Sequence, residues 1–214
     1  MDHKGIIMIL LFLISALPAC KNEEQSEIFG TVSIYPDDAP LANARIELSA
    51  QKIDQGSFNP NYQLIDKNHT NHTGGFEFSF DPIRASYYRL DVYHDNYRKH
   101  RTEFSAQDFT TSKQISIQVV KQAQLNVHIK NQIAPSEDDE FKIRIKDIPD
   151  ECQDCSSSDY SYFYGHNIDT TVIYEVAGND EVLIEYATNK NDGEFNTQTK
   201  YCDPGNDNTL EIDY

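Results

Sequence analysis

Tryptophan is absent from the 214 residues, and basic side chains are scarce: Lys and Arg number 18 against 35 Asp and Glu, a formal charge of −17. Nucleic-acid binding depends on Lys and Arg displacing counterions from phosphates, so this balance excludes DNA and RNA as partners and disfavours anionic lipid headgroups. The lack of Trp weakens readings in which sugar rings stack on the surface. Helical periodicity is missing as well, since no stretch places apolar residues at i, i+3, i+4 and i+7. Apolar runs are confined to residues 5–17, fewer than the ~20 needed to span a bilayer as a helix. What the chain does have is 13 Tyr and 11 Phe within a 38% hydrophobic composition, too rich in core and strand residues for disorder.

From Ile28 onward the apolar residues recur mostly at period two, as half-buried strands require. The pattern predicts strands at 28–35, 44–51, 62–67, 75–80, 88–94, 99–104 and 114–120, separated by turn chemistry such as Asn59-Pro60-Asn61 and Asp95-Asn96. A second series is expected at 124–130, 141–148, 160–168, 170–176, 181–188, 196–202 and 210–214. Two sets of about seven short strands point to an all-β protein of two Greek-key-type β-sandwiches in tandem. The boundary is expected near Lys121-Gln122-Ala123, giving units 27–120 and 121–214. The alternations Ile115, Ile117, Val119 and Leu125, Val127, Ile129 nearly abut, which leaves no room for a flexible linker.

Lys4 precedes the apolar run, which ends in Leu17-Pro18-Ala19-Cys20. Length and flank fit a signal-peptide core. The ending resembles the lipobox of bacterial lipoproteins, with Pro18 a less usual occupant. That resemblance implies removal of 1–19, diacylation of the Cys20 thiol and acylation of the new amine; two or three chains give stable anchoring. Residues 20–26 are then a polar tether. Lys21-Asn22-Glu23-Glu24 is similar to the export tag of some Gram-negative surface lipoproteins, so the expected place is the outer membrane, facing outward, with the periplasmic face as the alternative.

The first series contains Gly30-Thr31-Val32, then Pro40-Leu41-Ala42-Asn43-Ala44-Arg45-Ile46, Gly74-Gly75-Phe76-Glu77-Phe78 and Tyr88-Arg89-Leu90-Asp91-Val92. Gly74 and Gly75 supply the backbone freedom a hairpin needs, after which Phe76, Phe78 and Phe80 alternate onto one face. In order, these pieces resemble the carboxypeptidase regulatory-like domain, a transthyretin-like sandwich. The resemblance covers about 27–120 and implies an accessory module without catalytic residues. The second series resembles no family.

With Cys20 acylated, Cys152, Cys155 and Cys202 remain in an oxidising compartment, an odd number. The favoured pairing joins Cys152 or Cys155 to Cys202, stapling a long loop to the penultimate strand; a Cys152–Cys155 bridge is the alternative. Cys152-Gln153-Asp154-Cys155 has redox spacing, but Ser156-Ser157-Ser158 follows where a thioredoxin-like motif needs a helix. His100 and Glu103 match the spacing of a zinc pair, yet i and i+3 on a strand point to opposite faces. His69 and His72 read as a polar hairpin tip, and the acidic run Glu137-Asp138-Asp139-Glu140 as a solvated loop, with no metal or other cofactor expected.

Tyr160, Tyr162 and Tyr164 alternate with Phe163. If Phe163 faces the core, the tyrosines form an exposed binding platform; the favoured expectation is the reverse, tyrosines inward. No nucleophile, base and orienter stand at interpretable positions, so the chain is not expected to be an enzyme. The expected function is a lipid-anchored surface scaffold or protein-interaction module with an envelope protein as partner; the alternative is a glycan-binding accessory lipoprotein of a polysaccharide uptake system.

Overall fold

A computed structural model describes residues 25–54 and 56–214, so Cys20 and the expected signal peptide lie outside the described residues. The alternation read from the sequence sets the sheets. β1 (Ser26–Ile34) buries Ile28 and Val32; β6 (Gly75–Phe80) buries Phe76, Phe78 and Phe80 while Glu77 and Ser79 face solvent. β1 pairs antiparallel with β6 and parallel with β9 (Ser112–Val119), and β2 (Ala39–Pro40) adds to its end. In the facing sheet β3 (Arg45–Asp54) lies between β5 (Gln63–His69) and β7 (Ala85–Tyr93). That sheet is completed by β4 (Ser57–Phe58) on β3 and β8 (His100–Ser105) on β7. Between the two sheets sits a core that includes Ile28, Ile46, Leu48, Phe78, Leu90 and Ile117. Phe80, Tyr88, Phe104 and Phe109 close one end, with ring centroids 5.2 to 6.2 Å apart.

The second series folds the same way. β10 (Lys121–Lys130) pairs antiparallel with β13 (Asp169–Gly178) and parallel with β16 (Asn208–Asp213). β11 (Glu140–Lys146) lies between β12 (Ser161–Tyr164) and β14 (Asp180–Thr188), and β15 (Phe195–Cys202) follows on β14. Apart from the short β2 and β4, this repeats the first unit strand for strand, a likeness that no shared motif announces. A separate core forms from Leu125, Val127, Ile129, Phe141, Ile143, Ile184 and Ile212. β12 is shorter than the expected 160–168 because Gly165, at φ 94°, turns the chain out of the sheet.

No flexible linker separates the units, as the abutting apolar alternations require. Val119 ends β9 in the first core and Lys121 opens β10. Val120, fully buried, packs with Ala177 and Cys152 in a small third cluster. Arg98 crosses the junction: its guanidinium donates to the carbonyls of Ala123 at 2.9 Å and Val176 at 3.4 Å and pairs with Glu175.

Candidate docking face

β11 alternates strictly. Phe141, Ile143 and Ile145 point into the second core, so Lys142, Arg144 and Lys146 project from the outer face. Register then places Tyr162 beside Lys142 on one side and Ala187 on the other, with Phe195 one strand further. On β12 Phe163 packs against the core, its ring 6.4 Å from that of Phe141, which sends the tyrosines outward. Tyr162 is 51% exposed, Tyr164 67% and Phe195 51%. The expectation that the tyrosines face inward is therefore overturned: β12 is an edge strand, and it turns Phe163 onto a core that already holds Phe141, Tyr186 and Tyr214.

The three tyrosines are not equivalent. Tyr160 is half-buried and committed within the protein: its hydroxyl donates to Glu185 at 2.6 Å, and the Arg144 guanidinium covers its ring at 4.5 Å. Glu185 is the anchor of this face. It accepts from Arg144 at 2.8 Å and from Lys146 at 3.1 Å, and the Tyr160 hydroxyl leads these donors in holding its carboxyl down at about 2 against the desolvation that opposes it. Lys142 has no carboxylate partner among the described residues; its ammonium lies 4.6 Å from the Phe195 centroid and 5.4 Å from that of Tyr160. The free part of the platform is thus Tyr162, Tyr164, Phe195 and Lys142. Ring planes differ by 53° between Tyr160 and Tyr162 and by 34° between Tyr160 and Phe195, so Tyr160 is coplanar with neither neighbour.

The first unit carries the same design at the equivalent place. Asp91, 2% exposed on the outer face of β7, meets Arg89 and Arg101 at 2.8 Å and Lys99 at 3.3 Å. Its hydrogen bond from Arg101 and the three positive charges outweigh burial and lower its pKa. Neither central carboxylate, Asp91 nor Glu185, stood out in the sequence; the signal was an acid between two core positions on the fifth strand of each series.

Cys152 and Cys155 are joined to each other, and Cys202 is free. The favoured bond to Cys202 is thereby corrected. Cys202 points into the second core, fully buried, and burial pushes its thiol up to about 11, whereas Cys152 belongs to the junction cluster. Among the described residues no group of three or more His, Cys, Asp or Glu could hold a metal. His100 points inward and Glu103 outward, while His69 and His72 lie exposed at the hairpin. His166 pairs with Glu137 at 2.7 Å. Asp139, inside the acidic run, is buried; it accepts from Asn131 at 2.8 Å and meets Lys190 at 3.0 Å. The Asn131 hydrogen bond is the main cause of its lowered pKa, and with Lys190 the trio staples the β10–β11 loop to the β14–β15 loop.

No family model matches the chain, and no curated protein matches it. Solved structures share its all-β arrangement loosely. The shaft pilin SpaA from Lactobacillus rhamnosus GG aligns over 88% of this chain and 97% of its own at 8% identity and a TM-score of 0.36. The Bacillus anthracis TIE protein aligns over 89% of this chain and 33% of its own, at 12% identity and 0.37. A streptococcal ancillary pilin aligns over 90% and 63%, at 10% identity and 0.35. At these scores no functional argument rests on the likeness.

Proposed function

We propose that the chain is a lipid-anchored, non-catalytic lipoprotein of the cell envelope, held in the outer membrane by acylated Cys20, and that it works as a surface scaffold docking another envelope protein. Its units are 27–120, carrying the carboxypeptidase regulatory-like pattern, and 121–214. The observation that carries the reading is the outer face of this sheet, where Tyr162 and Tyr164 stand exposed on β12, Lys142 lies beside Tyr162 on β11 without a carboxylate partner among the described residues, and exposed Phe195 lies beyond it on β15. Exposed aromatics beside a cation are the residue types that anchor protein interfaces. Tilted rings, and a Tyr160 face already covered by Arg144, favour a protein partner over a glycan.

The test is a Tyr162→Ser/Tyr164→Ser variant expressed in the native cell. Both side chains are largely solvated, so stability stays within about 0.5 kcal/mol of wild type while co-purification of the partner is lost. A variant that keeps its partner, or one that unfolds, counts against the face. Cys20→Ala should move the protein from the membrane to the soluble fraction; retention in the membrane counts against the anchor.

A further inference from the structure

The loop bearing Cys152 and Cys155 joins β11 to β12 in the second unit, yet it grips the first. Gln153, between the two cysteines, accepts from the Arg101 backbone N–H at 2.9 Å and donates to the Arg101 carbonyl at 2.8 Å, supplying to the free edge of β8 the two bonds that a neighbouring strand would supply. Cys152, 5% exposed, packs with Val120 of the connection and Ala177 of β13, and Tyr35, Ile148 and Cys155 surround them. The loop backbone is held from the other side as well, where the Ser156 N–H donates to the Glu175 carbonyl at 2.8 Å. A disulfide closing so short a loop constrains the unfolded chain little. Its effect is local, and the place it fixes is the contact between the units.

We propose that the Cys152–Cys155 disulfide is a redox-sensitive latch that holds the two sandwiches in one fixed relation and that a dithiol reductant opens it. Cys155 is the reachable sulfur, being half-buried where Cys152 is buried. A thiolate of the reductant attacks Cys155 Sγ, forming a mixed disulfide and releasing Cys152 as a thiolate that takes up a proton. The second thiol of the reductant then displaces Cys155, leaving two protein thiols and an oxidised dithiol. Once the bridge is broken, the loop no longer presents Gln153 in register. The β8 edge at Arg101 opens to solvent, and the relation of the units is left to the contacts of Arg98 and Val120. This latch is independent of the docking face.

Amide hydrogen exchange on the full chain in detergent tests it, with and without dithiothreitol. Reduction is expected to raise exchange across β8 by about tenfold while β6, remote from the loop, stays unchanged. Gln153→Ala should raise β8 exchange with the disulfide intact. Cys152→Ser/Cys155→Ser should show the raised rate without reductant and no further response to it. Equal β8 rates before and after reduction overturn the latch. A rise shared by every strand also overturns it, because the disulfide is then a general stabiliser. If the double serine variant fails to fold, wild type with and without dithiothreitol still decides, and Gln153→Ala shows that the grip is made by that side chain.

Discussion

Replacing Arg98 by Met keeps the apolar stem and removes the guanidinium that crosses the junction. Three interactions go. The bonds to the Ala123 and Val176 carbonyls, at 2.9 and 3.4 Å, are charge-assisted bonds to acceptors that also belong to the β10–β13 ladder. A hydrogen bond to a charged group contributes about 1.5–3 kcal/mol, and the longer of the two bonds falls at or below the lower end. The ion pair with Glu175 adds at most about 1 kcal/mol, because that carboxylate is 40% exposed and screened. The expected loss is about 2–4 kcal/mol, a large share of the roughly 5–15 kcal/mol that holds a domain together. Urea unfolding followed by tyrosine fluorescence and far-ultraviolet circular dichroism measures it, and at about 2 kcal/mol per molar urea the midpoint should fall by about 1–2 M. Glu175, whose pKa the Arg98 hydrogen bond chiefly lowers, should titrate higher in the variant. A loss below about 0.5 kcal/mol with Glu175 unmoved would refute the reasoning, since Arg98 would then be an ordinary solvated surface group.

Gly30→Ala should abolish stable folding of the first unit, at a cost of about 3 kcal/mol or more, because a Cβ there overlaps the Ile115 carbonyl across the parallel β1–β9 ladder; a normal melting curve would show that the strands are further apart. His128 lies between Asp169 at 2.8 Å and Glu211, and its pKa is raised, first by the hydrogen bond to Asp169. Its stabilisation is complete below the ordinary value near 6.5 and is lost as pH rises through the folded value, so melting temperature should fall with pH above about 6.5 and His128→Gln should flatten that limb. Asp169 is held low chiefly by His128 and loses its contribution on acidification through its folded value, below 3.8, so the contact is strongest between these two limbs. Lys190→Met leaves Asp139 buried without its cation, and thermal melting of the second unit should drop while the first unit's transition stays in place.

Most of the strand order was legible because alternation is a local signal: 75–80 coincides with β6, and 196–202 falls within β15. The tyrosine face was legible as a pair of alternatives and not as a choice between them. Which side of β12 faces the core depends on the filling of the space under β11, and Phe141, Tyr186 and Tyr214 reach it from separate parts of the chain. Cysteine pairing failed for a related reason. Spacing says nothing about loop path, and here the path leads Cys152 to the junction with Val120, away from the core that holds Cys202. The Asn131–Asp139–Lys190 staple and the Gln153 grip on β8 unite residues from distant loops, so no local pattern could point to them. The repeated topology escaped for the opposite reason: the two units share strand pairing, which the backbone specifies, while their side chains differ.

Photocrosslinking in intact cells, with a benzophenone amino acid replacing single residues, tests the docking face most directly. The account predicts one discrete protein adduct from position 162 and the same adduct from 164, and none from Tyr87, which is 47% exposed on the other unit. Equal adducts from 87, or none from 162 and 164 in protein that remains folded at the membrane, would contradict it.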